Sequence, residues 1–360
     1  MRVHSSPAPQ GIALIIVMIA IVSLGILAGN FAYSMKVETT LARNANRDAD
    51  LEWLGRSGIE LAKYVLAQPS PGGIQVDALN QKWAGGTGDT NSMVAEIPLD
   101  HYELGPGVIS VKIRDLDRKF NINSVTPANR EILAQALILI GADASESSQI
   151  INAVLDWMDP DNATQMGSSD TESEYYEQLN PPYRAKNGPF DDITEMMLVK
   201  GITPAMFYGS SRVGVMSHGS VRRDRLSRTQ DEEPIYPVGF VDLFTTLSSG
   251  LVNINTASPT VMQLIPEVDE TLAQAIVTAR AGLDGVEGNE DDMPFRSIQE
   301  LGRVPGMPPV VINQFARYFT TRSTTFEVHV TASISSFRRE FTAVLRRDGN
   351  RVVTLFTYWR

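Results

Sequence analysis

Seven carboxylates crowd one stretch of the chain: Asp156, Asp159, Asp161, Asp170, Glu172, Glu174 and Glu177. Uncompensated they repel one another, whereas a hard cation takes roughly six to eight oxygen donors of this kind. The D-x-D-x-D-G spacing of an EF-hand is missing from the stretch, so the residues alone leave two readings: an ion site or a solvated acidic loop. A second acidic run, Glu287 to Asp292, reads as a solvated loop first and a weak ion site second. Other chemistry is sparsely supplied. The chain has no cysteine, which removes disulfides, thiol nucleophiles and Cys-ligated zinc. Its four histidines are scattered at 4, 101, 218 and 329, which argues against a multi-His metal site or a serine-type triad. No nucleophile beside a base, no acid pair across a cleft and no phosphate loop appears as a motif. The expectation is a protein that is not an enzyme.

The elements that position this stretch begin with the N-terminus. From Gly11 to Met35 there is no charged residue, and about 20 apolar residues suffice to cross a bilayer. No A-x-A cleavage site follows. Arg2 and His4 in the short flank favour a cytoplasmic N-terminus, with the remainder exported. The helical pattern continues without proline from Lys36 to Leu66, and Pro69, Pro71, Gly72 and Gly73 end it. The result is one helix on the order of 50 residues and about 80 Å long. A net charge of −11 and a pI near 4.9 argue against broad nucleic-acid binding, which needs clustered Lys and Arg.

The chain also repeats itself. Phe120-Asn121-Ile122-Asn123-Ser124-Val125-Thr126-Pro127 parallels Val252-Asn253-Ile254-Asn255-Thr256-Ala257-Ser258-Pro259. In each, Thr126 or Ser258 can cap a helix whose first residue is proline, and the asparagines can tie the entry loop to nearby backbone. Further on, Pro189-Phe190, Ile193, Glu195, Val199 and Gly201 return as Pro294-Phe295, Ile298, Glu300, Val304 and Gly306. Two related helical units follow, the first enlarged by the acidic insertion. Strand patterns flank them: Ala95 to Leu104 and Val108 to Leu116 before, then Thr325 to Ser333, Phe337 to Arg346 and Arg351 to Tyr358, with a hairpin signal at Arg347-Asp348-Gly349-Asn350. Between the units, Arg212, Arg222, Arg223, Arg225 and Arg228 read as an exposed basic linker.

The predicted fold is therefore α+β: a long transmembrane and amphipathic helix packed on an antiparallel sheet, with a helical domain of two related SAM-like, helix-hairpin-helix-like units inserted between the strands. The segments divide as leader 1–11, transmembrane 12–35, amphipathic helix 36–67, first sheet part 68–119, helical unit one 120–247, helical unit two 248–322 and C-terminal strands 323–360.

The short polar leader ending in Gly11, with the apolar run opening at Ile12, resembles the class III leader of type IV pilins and type II secretion pseudopilins. Such proteins normally carry Glu at the fifth mature position, here Ile16. K-type minor pseudopilins commonly lack it, because a subunit at a filament tip has no neighbouring amine above it to neutralise. With the split sheet, the duplicated units and the Asp156-Trp157-Met158-Asp159-Pro160-Asp161 segment, the whole chain resembles the K-type minor pseudopilins of type II secretion systems, the GspK family.

The resemblance implies cleavage between Gly11 and Ile12 by prepilin peptidase and methylation of the Ile12 amine. It implies calcium at the acidic insertion, with Asp156, Asp159, Asp161, Glu172 and Glu174 as candidate ligands; the family's acidic residue before paired tyrosines maps near Glu174, ahead of Tyr175-Tyr176. It further implies an inner-membrane, single-pass protein with a periplasmic domain. That protein caps a pseudopilus, initiates its assembly and supports export. Its partners are other minor pseudopilins, with secreted cargo or the outer-membrane channel as further contacts, and no nucleic acid. Two rivals stand beside this reading: a helix-hairpin-helix DNA-binding component of a competence-type pilus, and a membrane-tethered hydrolase using the acidic insertion with a metal. Against the first, the turn Pro266-Glu267-Val268-Asp269-Glu270 has no glycine and three carboxylates, which repel phosphate.

Overall fold

In a computed structural model the described residues are 10–68, 75–87, 94–160, 172–209 and 236–359. The N-terminal pattern folds as one helix, α1 (Gln10–Ala67). Its apolar residues from Ile12 to Leu41 are exposed. From Leu51 onward it turns one face to a sheet and buries Leu51, Leu54, Ile59, Ala62, Val65 and Leu66. Each leucine, isoleucine or valine among them contributes roughly 1.5–3 kcal/mol when removed from water, so this half alone anchors the helix. The leader residues 1–9 lie outside the described residues.

The sheet has five antiparallel strands in the order β1-β2-β7-β8-β9. These are β1 (Tyr102–Leu104), β2 (Gly107–Asp115), β7 (Thr325–Ile334), β8 (Phe337–Asp348) and β9 (Arg351–Trp359). Alternation sets the register: Ile109, Val111 and Ile113 on β2 and Val328, Val330 and Ala332 on β7 are all buried, in pairs such as Ile109 with Ala332. The strand expected over Ala95 to Leu104 shrinks to its last three residues. Pro98 has no N–H to donate, and His101 sits at φ 55, a left-handed conformation that breaks an extended run.

Two glycines let α1 approach the sheet closely. A Cβ on Gly55 would lie 2.3 Å from the Phe341 ring, and one on Gly58 would lie 2.4 Å from Val330 Cγ1. Alanine at either position gains about 1 kcal/mol of helix propensity but must force apart a packed layer, at about 1–3 kcal/mol. Gly58→Ala is expected to lower the midpoint of chemical unfolding, and Gly58→Val to lower it further. An unchanged midpoint in both would show that the helix is free to shift.

Between β2 and β7 lies the helical insert. Its two units share one core, running from Phe120 through Trp157, Phe207 and Phe244 to Phe295 and Phe319. A short parallel ladder closes each unit: β3 (Phe120–Asn121) with β4 (Phe244–Thr245), and β5 (Val252–Asn253) with β6 (Phe319–Thr320). The repeated asparagines act alike. Asn123 Nδ2 donates to Phe190 O at 3.0 Å and its Oδ1 accepts from Phe190 N at 2.8 Å. Asn255 does the same to Phe295, at 2.9 and 2.8 Å. One side chain thus supplies the backbone pairing a strand would give, holding two distant segments of each unit together. The caps differ: Ser258 accepts from Val261 N, whereas the Thr126 hydroxyl donates to the Asn129 carboxamide.

Candidate functional site

Three places carry the features from which a function could be built: the free half of α1 with its neighbouring groove, the acidic segment, and a buried junction between sheet and insert.

Along the first half of α1, Ile12, Leu14, Ile15, Ile16, Leu24 and Leu27 are all exposed. It belongs to a helix long and apolar enough to cross a membrane. Near Gly25 and Gly29 nothing lies within 4 Å. Further along, Trp53 is 67% exposed and carries Arg56 over its ring at 5.5 Å. Trp53, Arg56, Ile59, Phe341, Thr357 and Trp359 line a groove of about 480 Å³ between α1 and the edge strand β9. Leu355, Phe356, Tyr358 and Trp359 are exposed on that strand. Trp359 faces the groove while Phe356 and Tyr358 alternate onto the other face of β9; large apolar side chains left in water beside a groove mark an interaction site.

The acidic segment starts in the last turns of the helix α3 (Ala144–Met158), which follows α2 (Glu131–Ile140). Asp156 lies within α3, and Asp159 caps it through its N–H to Leu155 O at 3.0 Å. Asp161 and Asp170 lie outside the described residues, and Glu172 opens the short helix Glu172–Glu177. Glu174 is exposed, and two residues on Tyr176 is buried against Trp157. Burial pushes the Tyr176 hydroxyl up to about 12; the same oxygen accepts from Lys200 N at 3.3 Å. The stretch supplies hard oxygen donors, the chemistry calcium takes. Among the described residues, however, no three His, Asp or Glu side chains converge as a metal set. The basic linker around Arg222 also lies outside the described residues.

The second acidic run is not simply a solvated loop. Glu287 pairs with Arg280, which is 4% exposed and donates to Ile254 O and Ala257 O in the repeated entry turn. Asp291 accepts from Leu283 N and Asp284 N, and Asp292 from Gly288 N. The loop therefore folds onto the unit through Arg280; Asp291 and one oxygen of Asp292 accept backbone N–H groups, while Asp292 Oδ1 is buried without a hydrogen-bond partner among the described residues.

Sequence reasoning missed the junction altogether. Asp115 ends β2, and its carboxyl accepts from Ser323 Oγ and Thr256 Oγ1. Asp117 accepts from Ser249 N at 2.6 Å, Thr324 N at 2.6 Å and Thr325 N at 3.1 Å. Asp77 accepts from Ser323 N at 2.8 Å and pairs with Arg347 of β8. All three acids are buried. Burial, reinforced by Asp117 and slightly by Asp77, pushes Asp115 up to about 7 against the opposing hydrogen bonds from Ser323 and Thr256. The cluster fastens sheet, segment 77 and the second helical unit to one another. Asp115 and Thr256 also border a cavity of about 630 Å³ beside β2, but the Asp115 carboxyl is committed to Ser323 and Thr256.

The hairpins of the helical units bear on nucleic-acid binding. Gly141 follows α2 at φ 87, and Glu267 takes the corresponding place before the next helix at φ 69; Asp143 and Asp269 cap the helices that follow. The second copy thus holds an exposed carboxylate in a left-handed position that suits glycine. Glu267→Gly is expected to stabilise the fold by about 0.5–1 kcal/mol, the left-handed penalty outweighing the unfolded-state entropy of glycine. Thermal melts of the two proteins check it.

A family model for the type II secretion system protein K matches residues 118–209. The chain is 24% identical to the Type II secretion system protein K of Aeromonas hydrophila, over 96% of this chain and 95% of the relative. It is 24% identical to that of Pseudomonas aeruginosa, over 86% and 82%. Along nearly its whole length the chain is similar to the type II secretion system protein K family. A helix-hairpin-helix motif model matches residues 248–320, the second unit of the helical insert. The K subunit in the GspK-GspI-GspJ complex of enterotoxigenic Escherichia coli has the same fold, with a TM-score of 0.60 over 89% of this chain and 99% of the other, at 16% identity. The likeness shows a shared fold over the matched part of the chain.

Proposed function

We propose that this minor pseudopilin sits at the tip of the pseudopilus, anchored in the inner membrane by residues 12–35 with its folded domain in the periplasm, where it starts assembly and supports export. The observation that carries the reading is α1, exposed and apolar over one half and clamped to the sheet by Gly55 and Gly58 over the other. A helix free on one half can pack among the like helices of sibling subunits. The neighbouring structure, a complex with GspI and GspJ, supports the corresponding siblings as partners. The apolar groove beside Trp53 and Trp359 offers them a lateral contact. The role is structural, and the buried junction gives the insert a firm seat on the sheet.

Processing between Gly11 and Ile12, with methylation of the new amine, belongs to the same reading. Intact mass and N-terminal sequencing, with and without prepilin peptidase, test it. A chain still starting at Met1 in the presence of the peptidase contradicts it. Co-purification with the I and J counterparts tests the tip assignment, and a chain that never joins them counts against it.

Calcium is retained as part of this proposal, held by the stretch that includes Asp156, Asp159, Asp161, Glu172 and Glu174. Calorimetric titration of the detergent-solubilised protein reads it directly; no uptake at millimolar calcium removes it. The helix-hairpin-helix match favours one second reading, a DNA-binding pilus component. A salt-dependent mobility shift of duplex DNA supports that reading, and Glu267 at the hairpin argues against it.

A further inference from the structure

The strand β1 covers only one end of β2. Their pairing stops at Tyr102 with Ile109. Beyond it, among the described residues, the outer edge of β2 carries a single backbone bond, Val111 N to Leu99 O at 2.7 Å. Antiparallel pairing alternates, so residues whose N–H and C=O point away from β7 recur every second position. Val111 points outward, and Ile113 and Asp115 therefore point outward too. On the other side, Leu116 N donates to Thr325 O at 3.0 Å, in keeping with that alternation.

This edge is one wall of a cavity of about 630 Å³, which Leu79, Trp83, Ala84 and Leu99 help to line. That volume falls within the roughly 300–1,000 Å³ of ordinary binding clefts. The two faces of β2 differ. Val111 and Ile113 are buried toward α1, whereas Lys112 and Arg114 are exposed on the opposite face. Lys82 and Arg118 join them around the cavity, against Asp100 and Asp115. The Asp115 carboxyl is turned into the junction, onto Ser323 and Thr256. Lys82 donates to Ala95 O at 2.9 Å. Neither Lys112, Arg114 nor Arg118 forms an ion pair among the described residues, and Glu327, across the register from Arg114, is engaged with His329 at 2.9 Å. A chain of net charge −11 thus collects positive charge at a strand edge that is open among the described residues.

We propose that the open edge of β2 receives an extended segment of a partner protein in which acidic and apolar residues alternate. The added strand takes its main-chain bonds from Ile113 and Asp115. Its acidic side chains stand beside Lys112 and Arg114, and its apolar ones face Trp83 and Leu99. Neighbouring strands lie about 4.8 Å apart, with successive side chains on opposite faces, so the alternation of the guest is dictated by that of β2. The proposal holds independently of where the chain sits in an assembly.

The test is fluorescence anisotropy with the full-length protein in detergent and a labelled peptide of roughly six residues alternating Glu and Val. Saturable binding is expected, with none for the Lys-Val peptide. Lys112→Glu with Arg114→Gln is expected to weaken it about tenfold, the loss of two cross-strand charge pairs and the gain of one repulsion. A second arm leaves the protein untouched. Peptides N-methylated at the odd or at the even residues each lose the N–H groups of one edge, so one is expected to bind and the other to fail. No saturable binding, equal binding by both methylated peptides, or indifference to the double substitution overturns the proposal.

Discussion

Arg347→Met is expected to destabilise the folded protein by about 3–5 kcal/mol, the usual loss when one partner of a buried ion pair is removed. The Arg347 side chain is 10% exposed and that of Asp77 is 3% exposed. Its guanidinium donates to Asp77 and to Ser323 O, reaches Leu66 O at 3.4 Å, and lies 5.0 Å from the centre of the Phe326 ring. Those contacts tie the end of α1, segment 77 and the last residues before β7 to β8. Methionine keeps much of the stem's packing against Phe326 and removes only the charge and the donors. Asp77 is then left buried with Ser323 N as the donor that remains among the described residues. The double variant Asp77→Asn, Arg347→Met removes the stranded charge as well and is expected to recover a large part of the loss. Urea unfolding of the detergent-solubilised protein, followed by tryptophan fluorescence, measures both. A loss below about 1 kcal/mol would match a solvent-exposed pair and would mean that water reaches Asp77.

This result would separate what the sequence announces from what it hides. The long helix was legible because its hydrophobic run and its proline and glycine stop are local. The duplication was legible because both copies keep the Asn-x-Asn spacing and the Pro-Phe that each second asparagine grips. The structure adds why those residues recur: Asn123 and Asn255 each pin a phenylalanine backbone some distance along the chain. β1 was overdrawn because Pro98 and His101 interrupt a stretch whose composition alone suits a strand. The junction was invisible for a different reason. Asp77, Asp115, Asp117, Ser323 and Arg347 share no spacing, and in a sequence each looks like an ordinary surface polar residue. Only the closing of the sheet around the insert brings them together. Arg280 was hidden in the same way, since its partners are carbonyls of the entry turn and Glu287 in a loop that reads as solvated. Of the candidate calcium ligands, the described residues place Asp156 and Asp159 at the end of α3 and Glu174 on a neighbouring short helix, without a converging set.

The same junction predicts how stability depends on pH. Asp115 ordinarily titrates near 3.8 and in the folded protein near 7, chiefly through burial and then through Asp117. Between those values the folded state holds a proton that the unfolded state has released. Folding is therefore favoured at the acidic end of the window, and stability falls as pH rises from about 4 through about 7. A displacement of about three pH units at 1.36 kcal/mol each amounts to about 4 kcal/mol from this one group. Asp115→Asn removes the ionisable group while its Oδ1 can still accept from Ser323 and Thr256, at the loss of the bond that Asp117 N donates to the other Asp115 oxygen. The natural protein is expected to melt at lower temperature at pH 8 than at pH 5.5, and the variant to lose most of that difference. Identical pH profiles in the two proteins would show that Asp115 is already ionised when folded, with its charge met by the hydroxyls and by water. A flattened profile would place the pH-sensitive bond where β2 meets Ser323 and the entry turn of the second unit. The helical insert would then be held to the sheet most firmly in mildly acidic surroundings.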